Sequence, residues 1–341
     1  MQARDDQGAR TRVMLAFAGG IALAALIALP PVAGAAKKAR TKGERTATYS
    51  VGAPSGAIVA KKKKKKKKNP AVTRSASSPF TQSSNAAATA SCPKGTHVSG
   101  GGFSVSPNFE PATTTGLRSM NSTSHPASNR SWTGAGSAYA TPTATGSFTT
   151  FARCESNSKG QIAVRSSSSD SIPPGVGQNM IFNCPPTTHV LTGGYAAPSL
   201  GAFAFAAASA RIVVLASRRT GPGQWTISAF NNSSAPAAAT LTGHVVCALN
   251  GKGRGVSEAS AFQPVVNDSR TSADATCSKK KYAVGGGFVV SPATFPGSVP
   301  FIGVDEFQPV GKRGWHTALH ELFLAVPPGS TLQTIAYCKK A

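Results

Sequence analysis

Histidine and glutamate come closest to a catalytic motif in the stretch His316-Thr-Ala-Leu-His320-Glu321. A zinc protease of the H-E-x-x-H type needs a second histidine three residues after the glutamate, but Leu324 stands there. The stretch also follows Trp315 in a segment with the character of a β-strand, where residues four apart lie about 13 Å from each other. The pattern therefore predicts that the two histidines share no metal and lie at the surface or on an edge strand.

Carboxyl groups could serve as the acid and base of a glycosidase, which needs two of them. From residue 69 onward the chain has only nine acidic residues, and most are isolated. The sequence contains no nucleophile elbow, phosphate-binding loop or dinucleotide fingerprint. It favours a protein that is not an enzyme and needs no cofactor. The alternative is a secreted hydrolase of wall glycan or another extracellular polymer that uses Asp305, Glu306 or Glu321.

Six cysteines are spaced with a regular alternation along the chain. The successive gaps are 62, 30, 63, 30 and 61 residues, which indicates three units. No Cys-x-x-Cys or Cys/His cluster has the spacing of zinc ligands, so no metal is expected. In an exported protein an even number of cysteines indicates a disulfide framework. The repeat favours pairing within each unit: Cys92 with Cys154, Cys184 with Cys247, and Cys277 with Cys338.

Other residues recur with the cysteines. A tryptophan follows the first cysteine of each pair, at Trp132, Trp225 and Trp315, and a glycine-rich segment precedes it, around Gly101, Gly194 and Gly286. His97 and His189 correspond to Tyr282, which suits a packing residue better than a ligand or base. The predicted repeats span 70–161, 162–253 and 254–341.

The elements that carry these residues have the two-residue period of β-strands. Counting back from Cys247 by twos gives Val245, Gly243 and Leu241, which predicts a strand with its apolar side on the face of the sulfur. The strand with the tryptophan is expected to form a hairpin with this cysteine strand. We therefore expect an all-β protein of three disulfide-stapled, β-sandwich-like repeats, arranged as beads or around a pseudo-threefold axis.

The repeated motif resembles one found in secreted actinobacterial proteins of uncharacterised function. The resemblance is carried by Cys-Pro-x-Gly, Gly-Gly-Gly, Trp-Thr and an apolar strand ending in cysteine, and it covers all three units. The third unit departs from it at Cys277-Ser-Lys-Lys, and the second has only Thr192-Gly193-Gly194. The resemblance implies an exported β-fold and implies no activity.

The N-terminal 69 residues have the features of an export signal and a basic tether. Arg10 and Arg12 precede an uncharged run that ends at Ala33-Gly34-Ala35, which predicts a signal peptide over 1–35, cleaved after Ala35. An uncleaved membrane anchor is the alternative. Residues 36–69 are predicted to be a disordered arm because like charges repel. Eight lysines follow one another in it: Lys61, Lys62, Lys63, Lys64, Lys65, Lys66, Lys67 and Lys68.

The charge of this arm predicts the class of partner. Residues 36–68 contain 13 basic side chains against one acidic one, in a chain of net charge +24. Such a segment binds polyanions by releasing their counterions. We expect a secreted or cell-surface binding or structural protein, held to an anionic cell-surface polymer or acidic glycan. Nucleic acid would be bound without sequence specificity. A solvated linker without a partner is the competing interpretation of the lysine run.

Overall fold

β-strands are the only regular elements in the part of the chain that the computed structural model describes. It describes residues 71–340 except 81–84, 108–117, 140–145, 157–162, 198–211, 232–234, 236, 249–254, 268, 293–301 and 322–325. The predicted signal peptide and basic arm lie outside the described residues. None of the described residues forms a helix that could cross a membrane.

Each predicted repeat range contains six strands. The first has β1 (Ala71–Phe80), β2 (Asn85–Ser91), β3 (Thr96–Ser106), β4 (Arg118–Ser128), β5 (Ser131–Tyr139) and β6 (Gly146–Ser156). The second has β7 (Ala163–Ile172), β8 (Gly177–Asn183), β9 (His189–Ala196), β10 (Ile212–Gly221), β11 (Gln224–Asn231) and β12 (Ala239–Ala248). The third has β13 (Ser257–Pro264), β14 (Arg270–Thr276), β15 (Lys281–Ser291), β16 (Ile302–Val310), β17 (Gly314–Glu321) and β18 (Thr331–Lys340).

These strands form three six-stranded sheets, and every sheet combines strands of two repeats. The orders are β1-β6-β3-β16-β17-β14, β13-β18-β15-β10-β11-β8 and β7-β12-β9-β4-β5-β2. In each sheet the first, sixth and third strands of one repeat continue into the fourth, fifth and second strands of another. A repeat therefore contributes half of one sheet and half of the next, which gives it the two layers of a sandwich.

The exchange of strands closes on itself. Repeat 1 pairs with repeat 3 through β3 and β16, repeat 3 with repeat 2 through β15 and β10, and repeat 2 with repeat 1 through β9 and β4. Since the three junctions have the same topology, the repeats are related by a pseudo-threefold axis. Of the two arrangements that the sequence left open, beads are excluded.

The three disulfides have the pairing that the repeat indicated: Cys92–Cys154, Cys184–Cys247 and Cys277–Cys338. Each joins two different sheets, because one cysteine directly follows the second strand of its repeat and the other lies in the sixth. All of the described cysteines are in these bonds. The disulfides therefore link the sheets in the same cyclic order as the strands.

The tryptophans fill the space between the two layers of each repeat. Trp132, Trp225 and Trp315 are fully buried. A Cβ atom added to Gly101 would lie 2.2 Å from the ring of Trp132, and one on Gly193 would lie 2.6 Å from that of Trp225. The third repeat has the same contact between Gly286 and Trp315. The glycine of the second repeat that matches Gly101 is thus Gly193, and Gly194 lies one residue further along.

The neighbours of this central glycine allow different repeats to approach. A Cβ on Gly100 would lie 2.5 Å from the carbonyl oxygen of Val284 in repeat 3, where the third strands meet near the axis. A Cβ on Gly194 would lie 2.0 Å from the carbonyl oxygen of Ser124, across the junction of repeats 2 and 1. The recurring glycines therefore accommodate close backbone packing, as expected where side chains are absent.

The alternation on the cysteine strands is confirmed, whereas the expected hairpin is wrong. Leu241 and Val245 are fully buried on the same side of β12 as Cys247. However, β11, which carries Trp225, pairs with β10 and β8 and lies in a different sheet from β12. The chain crosses between layers after the tryptophan strand, and its hairpin is formed with the strand before it.

A polar contact near the axis joins repeats 1 and 3. The guanidinium of Arg153 is buried and donates to the carbonyl oxygens of Ala283 at 2.9 Å and Lys312 at 2.7 Å. Glu155 accepts from the Tyr282 hydroxyl at 2.6 Å and from Lys339 Nζ at 3.1 Å. Burial and the Glu155 carboxylate raise the pKa of Tyr282, so its hydroxyl stays protonated as a donor.

Candidate functional site

Ionisable side chains of the third repeat meet on three adjacent strands. A β-bulge in β16 lies between Val304 and Glu306, where β16 pairs with β17. A bulge shifts the alternation of side chains by one residue. As a result the consecutive residues Asp305 and Glu306 both reach Arg270 at the start of β14.

Ion pairs connect this acid–histidine cluster, which consists of Arg270, Asp274, Asp305, Glu306, His316 and His320. Arg270 Nε lies 3.1 Å from Asp305 Oδ2, and its Nη2 lies 2.7 Å from Glu306 Oε1. His316 bridges two carboxylates, with Nδ1 2.9 Å from Asp274 Oδ1 and Nε2 3.2 Å from Glu306 Oε2. His320 Nδ1 lies 3.5 Å from Asp305 Oδ2. One arginine and two imidazoles thus face three carboxylates.

The environment favours the ionised forms of Asp305 and Glu306. Burial alone would raise the pKa of Asp305, but His320 and Arg270 outweigh it through hydrogen bonds and charge, so the pKa is lowered. The pKa of Glu306 is lowered in the same way, where His316 and Arg270 overcome burial and the charge of Asp305. The hydrogen bond to Glu306 raises the pKa of His316, with a further contribution from Asp274.

These shifts suit an ion-pair network better than a pair of catalytic carboxyl groups. A glycosidase needs one carboxyl group whose pKa is raised, so that it carries a proton near neutral pH. Asp305 and Glu306 shift in the opposite direction and already have basic partners. The side chain of Glu321, the third acid of the hydrolase hypothesis, is not among the described ones.

Among the residues that the structure describes, such a cluster occurs in the third repeat alone. Arg270 pairs with His320 across β14 and β17, whereas the corresponding pairs are Asn85 with Ser137 and Gly177 with Phe230. In repeat 1 the Ser137 hydroxyl donates to Asn85 Oδ1 at 2.6 Å, so a neutral hydrogen bond lies where repeat 3 has the two basic side chains Arg270 and His320. The fold therefore does not depend on charge at this position.

The predicted location of the two histidines is wrong. His320 is fully buried and His316 is mostly buried, and β17 lies between β16 and β14 rather than at an edge. The bulge in β16 supplies polar partners that the alternation of side chains in β17 could not reveal. Among the described residues, no group of three or more His, Cys, Asp or Glu side chains is arranged to hold a metal ion.

His97 and Tyr282, at matching positions near the start of β3 and β15, meet at the junction of repeats 1 and 3. His97 is buried 3.8 Å from Glu155, the carboxylate that also accepts from Tyr282. The matching positions of repeats 1 and 3 thus converge on one carboxylate.

The run Lys61–Lys68 lies outside the described residues.

Comparison with known proteins leaves the chain without a family assignment. No protein-family model matches it, and no curated protein is similar to it in sequence.

Proposed function

We propose that this chain is an exported, non-enzymatic protein that attaches to anionic polymers of the cell envelope or the extracellular space. In this proposal the signal peptide is removed after Ala35, the basic arm binds the polymer, and the three repeats form the scaffold that it holds there. The observation that carries the proposal is the distribution of charge. Thirteen basic side chains against one acidic one precede a fold in which Asp274, Asp305 and Glu306 of the third repeat already have basic partners.

The disulfides support the compartment in which this function would operate. Three disulfides fit an extracellular protein, because thiols in the cytosol are kept reduced. Each bridge encloses about 60 residues and in the chain-entropy model would stabilise the fold by roughly 4 kcal/mol. An attachment protein outside the cell gains from such resistance to unfolding.

The test compares the exported chain with a variant whose eight lysines, 61–68, are replaced by glutamine. Binding to isolated cell-envelope material, an acidic polysaccharide and DNA is measured over a range of NaCl concentrations. We expect the wild-type protein to bind, with an affinity that falls steeply with salt. The arm variant should bind more weakly and with a smaller salt dependence.

The matched control replaces the same eight lysines by arginine, which keeps the positive charge of the arm. This control should bind as the wild type does. If the wild-type protein binds none of the three materials at low salt, the proposed function is wrong.

A further inference from the structure

Basic residues that are far apart in the sequence of repeat 3 meet at one end of the fold. They belong to three segments: the turn Lys279–Lys281 after Cys277, the hairpin Lys312–Arg313 between β16 and β17, and the end of β18 at Lys339–Lys340. In the sequence these segments are three separate short runs of basic residues.

Backbone contacts fix the segments beside one another. Cys277 N donates to Arg313 O at 2.9 Å, and Ala283 N donates to Lys312 O at 3.1 Å, so the turn is bound to the hairpin. Lys281 is the cross-strand partner of Lys340. Cross-strand partners in an antiparallel pair have Cα atoms about 5 Å apart. The scaffold therefore holds the positive charges together against their mutual repulsion.

We define the basic face as Lys279, Lys280, Lys312, Arg313 and Lys340. The four lysines are exposed and Arg313 is half-buried. The adjacent Lys339 is bound to Glu155, and Lys281 Nζ lies 2.6 Å from Ser257 Oγ, so both are held in place within the fold. A surface depression of about 370 Å³ lies between the hairpin and β14, lined by Lys312 and Arg313 together with Asp274.

The chain enters the fold beside this face. Ala71 pairs with Glu155, the carboxylate that binds Lys339. Arg153 Nη1 donates to Thr73 Oγ1 at 2.8 Å and to Gly311 O at 3.1 Å, which places the start of β1 against the hairpin of the basic face. Lys68 precedes Ala71 by three residues in the sequence.

The chemistry of the face indicates recognition by charge. Proteins that bind bases use aromatic side chains on which the bases stack. The aromatic residues next to the basic segments in the sequence, Tyr282 after Lys281 and Trp315 after the hairpin, are buried. Lysine provides a point charge and suits phosphate groups whose orientation is not fixed, whereas arginine favours a bidentate geometry.

We propose that the basic face is a second binding site, formed by the folded repeats, for a linear polymer that carries phosphate groups along its length. The inference goes beyond attachment through the arm, since it assigns polymer binding to repeat 3 itself. With Lys65–Lys68 close in the chain, the face and the arm would engage the same polymer. The second contact would then form at a high effective concentration.

The test uses the full exported chain with the lysines at 61–68 replaced by glutamine, so that the arm cannot account for binding. Lys279→Gln, Lys280→Gln, Lys312→Gln and Lys340→Gln are then added. Two double variants are compared, each of which removes two exposed charges. One changes Lys280→Gln and Lys312→Gln in the basic face, and the other changes Lys94→Gln and Arg130→Gln at the matching turn and hairpin of repeat 1. The probe is inorganic polyphosphate of defined length, and affinity is measured over a range of NaCl concentrations.

We expect the arm variant to retain binding to polyphosphate. The four added substitutions should weaken that binding by at least about tenfold. They should also reduce the slope of log affinity against log salt concentration by about 3, which corresponds to about 0.7 for each lost phosphate contact. The change at Lys280 and Lys312 should weaken binding several-fold, and the change at Lys94 and Arg130 by less than about twofold.

Three outcomes would overturn the inference. If the arm variant no longer binds while the wild type does, attachment depends on the arm and the proposed function survives without a folded site. If both pairs of substitutions weaken binding equally, net charge rather than the face is responsible. If a carboxylated polysaccharide binds the arm variant more tightly than polyphosphate or a phosphodiester polymer, the assignment to phosphate is wrong. Comparing glycerol phosphate polymer with single-stranded DNA then separates wall material from nucleic acid as the source of phosphate.

Discussion

The central glycine of each third strand is the residue on which tryptophan packing depends. We predict that Gly101→Ala lowers the free energy of unfolding by about 2 kcal/mol, because the new methyl group would overlap the ring of Trp132. The control is Gly223→Ala, since a Cβ there has no neighbour within 4 Å. Urea denaturation of both variants measures the difference. Equal stability of the two variants would contradict the packing described here.

His316 should make stability depend on pH in a defined direction. Its pKa in the folded protein is above the unfolded value of about 6.5, so its contribution is full below that pH and is lost as pH rises through the folded pKa. Glu306 has a lowered pKa, so its contribution is present above about pH 4.3 and is lost as pH falls through the folded value. The cluster should therefore stabilise the fold most between about pH 4.5 and 6.5.

The substitution His316→Gln tests this sign. As the pH rises from about 6 to about 8, the range in which histidine titrates, we expect the free energy of unfolding to fall less in the variant than in the wild type. Urea denaturation across this range gives the difference, and imidazole NMR signals give the titration of His316 directly. A His316 signal that titrates below the ordinary value would contradict the predicted direction.

Residues that recur in the three units could be predicted, and residues unique to one unit could not. The cysteine pairs follow from spacing, because a threefold repeat has one pairing that treats its units alike. The bulge at Asp305 has no such signal, since strand alternation predicts opposite faces for Asp305 and Glu306. The sequence predicts Gly194 as the counterpart of Gly101, because Thr192 takes the place of the first glycine of the triplet in repeat 2. The structure shows that Gly193 makes the matching tryptophan contact.

At the scale of elements, each disulfide is a link between two sheets rather than a bridge inside one. We predict that Cys184→Ala with Cys247→Ala lowers the free energy of unfolding by about 4 kcal/mol, the value for closing a loop of this length. Urea denaturation measures the loss. Non-reducing peptide mapping should show Cys92–Cys154 and Cys277–Cys338 intact. A bond that joins cysteines of different repeats would contradict the assignment.

The presence of a strand could be predicted more easily than the strand with which it pairs. The two-residue period marks β12 and β11 as strands with one apolar side, and both are strands. The period does not say which strand lies alongside, so the shortest connection predicted a hairpin between them. The burial of Trp225 explains why β11 and β12 do not form a hairpin. Its ring lies between the two layers of the repeat, so β11 lies in the sheet opposite to that of β12.

For the whole molecule, the sequence left the choice between beads and a closed ring open. Both arrangements satisfy the same repeat, since each buries the same apolar faces within a unit. The ring depends on long-range pairs such as Phe103 with Phe307, which local periodicity does not encode. The basic face was missed for the same reason, as its lysines come together only through contacts between a turn, a hairpin and a strand end.

A closed ring predicts that the order of the repeats along the chain can change while none of them can be removed. A chain that ends at residue 253 loses β16 and β15, the partners of β3 and β10, and exposes two sheet edges. We expect it to be unfolded or aggregated. A circular permutant that starts at 162, with a glycine-serine linker from 340 to 71, keeps every pair. The linker can be short because Glu155 contacts both Ala71 through the ladder and Lys339 through its carboxylate.

The permutant should therefore fold with the same three disulfides and unfold in a single transition. Tryptophan fluorescence and far-UV circular dichroism should follow the same urea curve, because every sheet contains strands of two repeats and no repeat can unfold alone. If the truncated chain folded stably with both of its disulfides, the repeats would be independent units. In that case the strand exchange would contribute little to stability.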